Sequence, residues 1–180
     1  VFKQALIGPR EAGRQIKLGK ALLSEGQIEK ANKAFKQAVK FDPENPEHKA
    51  AIGEAFLAQE MALEAENAFK DYLEANPEDI FIYNRLGIAF RRQNKLKEAI
   101  TYYKKAISFA PFEGNLIFNL SRAYFEAQEK ENAVKTLETA LDFYPDFQEA
   151  RDLLKKIHQD SAAESNRHKN RPHRSKPVQS

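Results

Sequence analysis

Apolar residues along the chain recur at the three- and four-residue spacing of an α-helix, in pairs of segments separated by short polar breaks. In one such pair, Tyr83, Leu86 and Phe90 fall on one face of a first helix. A polar break follows, and a second apolar stripe then runs from Leu96 to Ile107. The pattern predicts two helices here, over 80–92 and 96–109.

The same helix pair returns every 34 residues along the chain. Each copy ends in a proline, which cannot continue a helix. The prolines and two columns of alanine keep this step: Pro43, Pro77, Pro111 and Pro145; Ala31, Ala65, Ala99 and Ala133; Ala21, Ala55, Ala89 and Ala123. Two columns of large apolar residues do the same: Phe35, Phe69, Tyr103 and Leu137; Val39, Leu73, Ile107 and Leu141. Five columns in one phase predict four helix pairs, at 12–25/28–41, 46–59/62–75, 80–92/96–109 and 114–127/130–143.

The recurring residues resemble the tetratricopeptide repeat, whose pattern has Leu-Gly, an aromatic residue, Ala, a second aromatic residue, Ala and Pro. The early Trp of that pattern is absent from all four copies. The third copy supplies Leu86-Gly87, Phe90, Ala99, Tyr103, Ala106 and Pro111. The resemblance implies an all-α, right-handed superhelical solenoid of antiparallel helix pairs. It implies that residues 12–147 form four repeats, at 12–45, 46–79, 80–113 and 114–147.

The two ends of the chain are predicted to differ from the repeats. Gly8-Pro9 separates a short apolar segment from the first repeat, so residues 1–11 are expected to be a linker or the end of an upstream element. Residues 148–159 carry one more apolar stripe, which predicts a capping helix that ends the solenoid. Residues 160–180 have few apolar residues and two prolines, which predicts a disordered basic tail.

Composition excludes several classes of protein. The hydrophobic fraction of 42% and the charged fraction of 31% are typical of a globular chain. There is no cysteine, which excludes a disulfide scaffold, a thiol nucleophile and a cysteine-ligated metal. No apolar run is long enough for a membrane helix, and we expect a cytoplasmic location. The sequence begins at Val1 without a leader, so a processed protein or a segment of a longer one is expected.

The net charge of +3 belongs to the predicted tail. Residues 161–180 carry five cations and one carboxylate, which is +4, while the first 160 residues sum to −1. The body of the chain is therefore not a basic surface for nucleic acid. Nucleic-acid binding is expected only through the tail, and it would then weaken steeply with salt and vanish when residues 161–180 are deleted. A solvated extension is the alternative interpretation of the tail.

No group of side chains predicts catalysis or a cofactor site. The four histidines are scattered at His48, His158, His168 and His173, and the many carboxylates are explained as solvation of outward helix faces. The seven glycines form no phosphate-binding loop. We therefore expect a protein that is not an enzyme, with no catalytic residue, no metal, no cofactor and no small-molecule substrate.

The family resemblance implies that the first helix of each pair lines a concave groove, which is the surface that solenoids use for binding. On this face the third and fourth copies combine amides, guanidinium groups and phenyl rings. Amides can pair with a peptide backbone, guanidinium groups can hold a carboxylate with two parallel bonds, and rings can anchor a ligand. Phe118 and Phe125 could instead pack against the next helix. The predicted peptide-binding residues are Phe81, Asn84, Arg85, Arg91, Asn115, Phe118, Asn119 and Arg122.

One specialised group within the family can be compared by sequence. Some tetratricopeptide domains hold the C-terminal carboxylate of chaperone tails with Lys and Asn on the first repeat, Asn on the second, and Lys and Arg on the third. Only one of the matching positions in this chain has the required residue, and a chaperone-tail clamp in this register is not expected. The matching positions are Ile16, Lys20, Ala51, Phe81 and Arg85, of which Arg85 is the one that fits.

The sequence thus predicts a non-catalytic protein–protein interaction module that binds an extended or acidic peptide in its concave groove. The alternative is a scaffold or dimerisation arm of a larger signalling protein, which would make a homodimer. The segment from Pro9 to Arg14 is similar to bacterial tetratricopeptide segments that follow a response-regulator receiver domain, which favours a preceding domain. Both hypotheses make a protein or a peptide the partner.

Overall fold

A computed structural model describes residues 2–169, with side chains for residues 7–163, and this part of the chain forms nine α-helices and no strand. Each odd-numbered helix from α1 to α7 packs most closely on the even-numbered helix that follows it. The all-α repeat fold and the four helix pairs expected from the sequence are confirmed. The helices are α1 Phe2–Ser24, α2 Ile28–Phe41, α3 Glu47–Ala58, α4 Ala62–Leu73, α5 Ile80–Arg92, α6 Leu96–Phe109, α7 Gly114–Glu126, α8 Lys130–Phe143 and α9 Gln148–Lys169.

The turn inside each pair ends the first helix in the same way in all four copies. One residue per turn has a positive φ of 58° to 74°, and the N–H of the residue after it donates to a carbonyl five residues earlier. This combination is the Schellman ending of a helix. Only the first copy places a glycine at the position that favours it. The four residues with positive φ are Gly26, Glu60, Asn94 and Gln128.

The two helices of each pair meet through a small residue on the first helix and a large one on the second. A Cβ atom added to Gly53 of α3 would lie 2.5 Å from ring atom Cε1 of Phe69 on α4, closer than van der Waals contact allows. The first and third copies have the same close approach. The fourth copy has Ser121 and Leu137 at the equivalent positions, and both are fully buried. The small residue is therefore needed for the helices to approach each other.

The first helix is longer than the sequence predicted, and the expected break at Gly8-Pro9 is wrong. Helix α1 begins at Phe2 and passes through both residues. Pro9 removes only one intrahelical hydrogen bond. Gly8 lies so close to the end of α2 that a Cβ atom on it would be 2.5 Å from the carbonyl oxygen of Phe41. Packing against α2 therefore holds in the helix a segment whose local sequence disfavours it.

The last helix is also longer than predicted. Helix α9 runs from Gln148 to Lys169, ten residues beyond the expected end at 159, so the prediction of a disordered tail from residue 160 is wrong over 160–169. The extension contains Ala162, Ala163 and no proline, so nothing in the local sequence stops the helix. Ala150 and Ile157 of α9 are buried and close the end of the apolar core. Residues 170–180 of the predicted tail lie outside the described residues.

We expect Gly53→Ser to destabilise the protein by about 1–3 kcal/mol, because the new Cβ atom would overlap the ring of Phe69. Adding Phe69→Leu should recover part of this loss, since the fourth copy accommodates a serine opposite a leucine. Urea unfolding of the two single variants and the double variant measures the coupling. Gly13→Ser is the matched control, because a Cβ atom there meets nothing within 4 Å. Strictly additive losses would contradict the steric explanation.

Candidate functional site

Helices α5 and α7, the first helices of the third and fourth copies, lie side by side and are joined by two polar contacts. The side-chain Nδ2 of Asn119 donates to Oδ1 of Asn84 at 3.0 Å. The guanidinium of Arg91 donates to Oε1 of Glu126 at 2.7 Å. The two contacts lie two helical turns apart, which is about 10 Å along the helix axis. Together they define a wall of polar side chains, which we call the α5–α7 wall.

Arg85 extends the α5–α7 wall towards α3. Its Nε atom lies 2.7 Å from Oε1 of Glu54 on α3, and each of the two side chains of this ion pair is about one-third exposed. The same guanidinium lies 4.5 Å from the ring centroid of Phe81, one turn earlier on α5. Phe81 is 50% exposed, which is unusual for a large apolar side chain. The ion pair and the ring contact thus position Arg85 next to an exposed aromatic surface.

At the other side of the wall, Phe118 is half-buried and lies 5.1 Å from the ring of Phe147, at the start of the capping helix. Phe118 therefore packs against a ring next to the last helix, as the alternative interpretation of the sequence proposes. The guanidinium of Arg122 lies 5.9 Å from the ring of Phe118. No described carboxylate forms an ion pair with Arg122. Arg122 is thus a half-buried cation with no ion-pair partner among residues 7–163.

Asn115 is not brought together with the other predicted residues. It is exposed at the beginning of α7, and its side chain donates to Glu113 at 3.4 Å. It lines a separate surface cleft with Phe143 and Tyr144. The other seven predicted residues lie on the α5–α7 wall or directly beside it. Asn115 belongs to a different part of the surface.

The first two copies contribute less to a polar groove than their positions suggest. Four apolar residues on the first helices α1 and α3 are buried in the core and cannot reach a ligand. The carbonyl of Leu57 accepts a hydrogen bond from Arg92 of the third copy, which further covers this part of α3. The four buried residues are Ile16, Leu23, Ala50 and Leu57.

Tyr103 is a polar residue of this region that the sequence analysis treated only as packing. Its ring on α6 crosses Gly87 of α5, where a Cβ atom would lie 2.4 Å from Cε1 of the ring. The side chain is fully buried, and its hydroxyl lies next to the guanidinium of Arg91 without a hydrogen bond of good geometry among the described residues. Burial raises the pKa of Tyr103 to about 12, against the opposing effect of Arg91 and Arg122. The sequence signal was that Tyr103 is the one member of its column with a polar atom.

Two further kinds of site are absent from the described residues. Over residues 7–163, no group of three or more histidine, aspartate or glutamate side chains could hold a metal ion. Among the helices described, none is both long enough and apolar enough to cross a membrane.

Comparisons with known proteins identify the repeat. Models of the tetratricopeptide repeat match residues 80–112 and 116–146, and a third model, described as TPR repeat, matches residues 19–60. The chain belongs to the tetratricopeptide-repeat family. No curated protein sequence matches it.

Solved structures share the fold of this tetratricopeptide-repeat chain. The crystal structure of MamA has a TM-score of 0.69 and 20% identity, over 80% of this chain and 84% of that one. The first TPR of Spaghetti (RPAP3) bound to the HSP90 peptide SRMEEVD has a TM-score of 0.58 and 24% identity, over 61% and 87%. PilF of Pseudomonas aeruginosa has a TM-score of 0.65 and 17% identity, over 87% and 71%. At these identities the likeness shows the fold alone.

A buried carboxylate joins helix α4 of the tetratricopeptide array to the turn that follows α5. Glu66 on α4 is 5% exposed and accepts hydrogen bonds from Lys70 at 2.6 Å, from Gln93 at 2.7 Å and from Lys95 at 3.1 Å. Gln93 and Lys95 belong to the turn after α5, so Glu66 ties the second repeat to the third. Burial opposes ionisation of Glu66, but the three hydrogen bonds outweigh it and lower the pKa of the carboxyl group.

We expect Glu66→Gln to destabilise the protein at neutral pH by about 1–2 kcal/mol, because the charge-assisted bonds are lost. The folded-state pKa of Glu66 lies below its usual value of 4.5. Its contribution to stability is therefore present above that value and is lost as the pH falls through the lower, folded-state pKa. Urea unfolding between neutral and acidic pH should show the wild type and the variant converging in acid. Glu138→Gln, an exposed change on α8, is the control, and a gap that stays constant with pH would contradict the linkage.

Proposed function

We propose that this chain is a non-catalytic protein-interaction module that holds an extended peptide in its concave groove, along the α5–α7 wall. The observation that carries the proposal is the amide pair of Asn84 and Asn119. Because one amide group donates to the other, the pair keeps one unused N–H₂ group and one unused carbonyl oxygen. These match the carbonyl and N–H of a peptide backbone, and they do so whatever side chains the peptide carries. If the oxygen and nitrogen atoms of both amide groups are exchanged, the pair still has one unused donor and one unused acceptor.

The surroundings of the amide pair suit an extended ligand. Phe81 offers an exposed ring on the same helix as Asn84, one turn away, and can anchor an apolar side chain of the peptide. Arg85 and Arg91 already have carboxylate partners, whereas Arg122 has none among residues 7–163. The wall therefore has a surplus positive charge, which favours a peptide with acidic residues.

The family supports an interaction role, and one fold neighbour, the first TPR of Spaghetti (RPAP3), is bound to an HSP90 peptide. A chaperone-tail clamp is not part of the proposal, because four of the five matching positions have unsuitable residues, Phe81 among them. The ligand we propose lies along the third and fourth copies instead. The cytoplasmic location and the link to signal transduction stay predictions from the sequence.

The test uses peptides selected for binding to the wild-type chain from a randomised displayed library. We expect Asn84→Ala/Asn119→Ala to weaken the affinity for selected peptides roughly tenfold or more, since two hydrogen bonds to the peptide backbone are lost. Titration calorimetry measures the affinity. Thermal unfolding checks that the variant is folded.

The matched control is Asn67→Ala/Asn132→Ala, which removes two amides from exposed positions on the second helices α4 and α8. It should leave the affinity unchanged. The proposal would be contradicted if the wall variant bound as tightly as the wild type. It would also be contradicted if the control variant lost as much affinity as the wall variant.

A second candidate function, the dimerisation arm, is favoured by a cluster of exposed aromatic side chains at one edge of the array. Phe112 is 61% exposed and lies 5.0 Å from the ring of Phe143, which is 48% exposed. Tyr144 lies beside them and donates from its hydroxyl to the carbonyl of Phe112. A second copy of the chain could cover this apolar cluster by a symmetric contact.

If the arm hypothesis is correct, the wild-type chain sediments with a mass that rises with concentration. Phe112→Ser/Phe143→Ser should abolish that rise, because it removes the apolar surface that a second copy would bury. Analytical ultracentrifugation at two concentrations measures it, with Phe41→Ser as the control for removing an exposed ring elsewhere. A monomer at both concentrations would exclude the homodimer.

A further inference from the structure

A surface cleft lies between the first and the second repeat, where helices α2, α3 and α4 meet; we call it the α2–α4 cleft. It has a volume of about 510 Å³, which is within the range of binding sites for small ligands. Its apolar lining consists of Phe35, Val39, Ile52, Phe56 and Ala68. None of the residues that line it belongs to the α5–α7 wall, so it is a separate candidate site.

The third repeat shows which side chains fit beside the equivalent phenylalanine. Tyr102 on α6 stacks on Phe90 on α5, with 5.0 Å between the ring centroids and 30° between the ring planes. Tyr83 on α5 lies 6.0 Å from the ring of Tyr102. Aromatic rings attract each other at these distances and angles. The three rings therefore form one packed group on this side of the third repeat.

The second repeat has the same phenylalanine but neither tyrosine. Phe56 is the counterpart of Phe90, and the residues at the positions of the two tyrosines are Ala68 and Lys49. Both line the α2–α4 cleft, and Ala68 is half-buried there. An alanine in place of a tyrosine leaves room for one ring beside Phe56, and the cleft lies at this place.

The charged side chains that line the α2–α4 cleft sum to zero. Lys36 and Lys49 lie on α2 and α3, whereas Glu64 and Asp71 lie on α4. The ammonium group of Lys49 donates to the backbone carbonyl of Asp71 at 3.2 Å, which holds this cation at the cleft. Two cations and two carboxylates suit an occupant without net charge. They disfavour a phosphorylated tyrosine, which carries nearly two negative charges.

We propose that the α2–α4 cleft binds the uncharged side chain of a tyrosine from a partner protein, which packs beside Phe56 as Tyr102 packs beside Phe90. An aromatic ring is favoured over an aliphatic side chain because it can stack on Phe56 and can contact the ammonium group of Lys36. The counterpart of that lysine, Lys70, lies 5.2 Å from the ring centroid of Phe90. This inference goes beyond the proposed groove function and does not rest on it.

The experiment titrates the whole chain with N-acetyltyrosinamide, N-acetylleucinamide and N-acetylphosphotyrosinamide. Methyl NMR signals of Val39, Ile52 and Ala68 report occupancy of the cleft directly. We expect the tyrosine probe to shift these signals saturably, with a roughly millimolar dissociation constant, as suits a single bound side chain. The leucine and phosphotyrosine probes should bind roughly threefold or more weakly. Equal or tighter binding of either one, or no saturable shift with the tyrosine probe, would overturn the assignment.

Ala68→Tyr is the decisive variant, because its own ring should fill the cleft beside Phe56. We expect it to abolish the shift of Val39 and to melt at the same temperature as the wild type or higher, since the cleft is filled. Unchanged affinity for the tyrosine probe in this variant would overturn the proposal. Ala75→Tyr, in the turn after α4, is the control and should bind normally. An aromatic ring is accepted at that position in the other three copies, as exposed Phe41, Phe109 and Phe143.

A converse variant moves the cleft to the next repeat. Tyr83→Lys/Tyr102→Ala gives the third repeat the residues of the second, and it should acquire a second site for the tyrosine probe. The methyl signals of Leu73, the counterpart of Val39, report that site. Thermal unfolding checks the fold, and a folded variant without a new shift at Leu73 would contradict the comparison of the two repeats. The wall variant Asn84→Ala/Asn119→Ala should bind the probe normally, so the groove proposal can fail without this one.

Discussion

The close approach of two helices within each repeat is the constraint on which the rest of the structure depends. A glycine or serine on the first helix lets a large side chain of the second helix lie directly against its backbone. That contact buries the large residue completely, as in Phe69 and Tyr103. It sets the spacing of the helix pair, and repetition every 34 residues turns one local contact into a continuous core.

The same constraint explains where the one polar residue of this column lies. Because Gly87 has no side chain, the ring of Tyr103 crosses the first helix of its pair, and its hydroxyl comes under the influence of Arg91 and Arg122. A larger residue at Gly87 would block this path. The packing of the third repeat therefore brings a buried hydroxyl close to a cation of the wall, Arg91.

Most charges on the wall are satisfied within the protein, which narrows what a ligand can do there. Arg85 is paired with Glu54 and Arg91 with Glu126. Neither guanidinium group is therefore free to hold a carboxylate of a ligand in the way that the sequence predicts. Few groups of the wall that a ligand could reach are left without a partner among residues 7–163: the outer atoms of the two amides and the cation of Arg122. In the proposed function, specificity depends on these few groups and on the exposed ring of Phe81.

The sequence by itself determined the repeat, the helix pairs and the family, because each of these follows from residue spacing that is local and recurs four times. It also placed Asn84 and Asn119 on one face, since they are the fifth and the sixth residue of their repeats and both positions are expected to face inward. The ends of the chain were different: Gly8-Pro9 predicts a break, and only the contact with the end of α2 keeps that segment helical.

Which polar groups are paired was decided only by the tertiary structure. The partners of Arg85 and Arg91 are 31 and 35 residues away in the sequence, on neighbouring first helices. Nothing in the local pattern indicates which carboxylate a long flexible side chain will reach, or which hydroxyl will be left without an acceptor. Those outcomes depend on how neighbouring helices are positioned. Their positions depend in turn on the contacts between a small and a large residue that hold each repeat together.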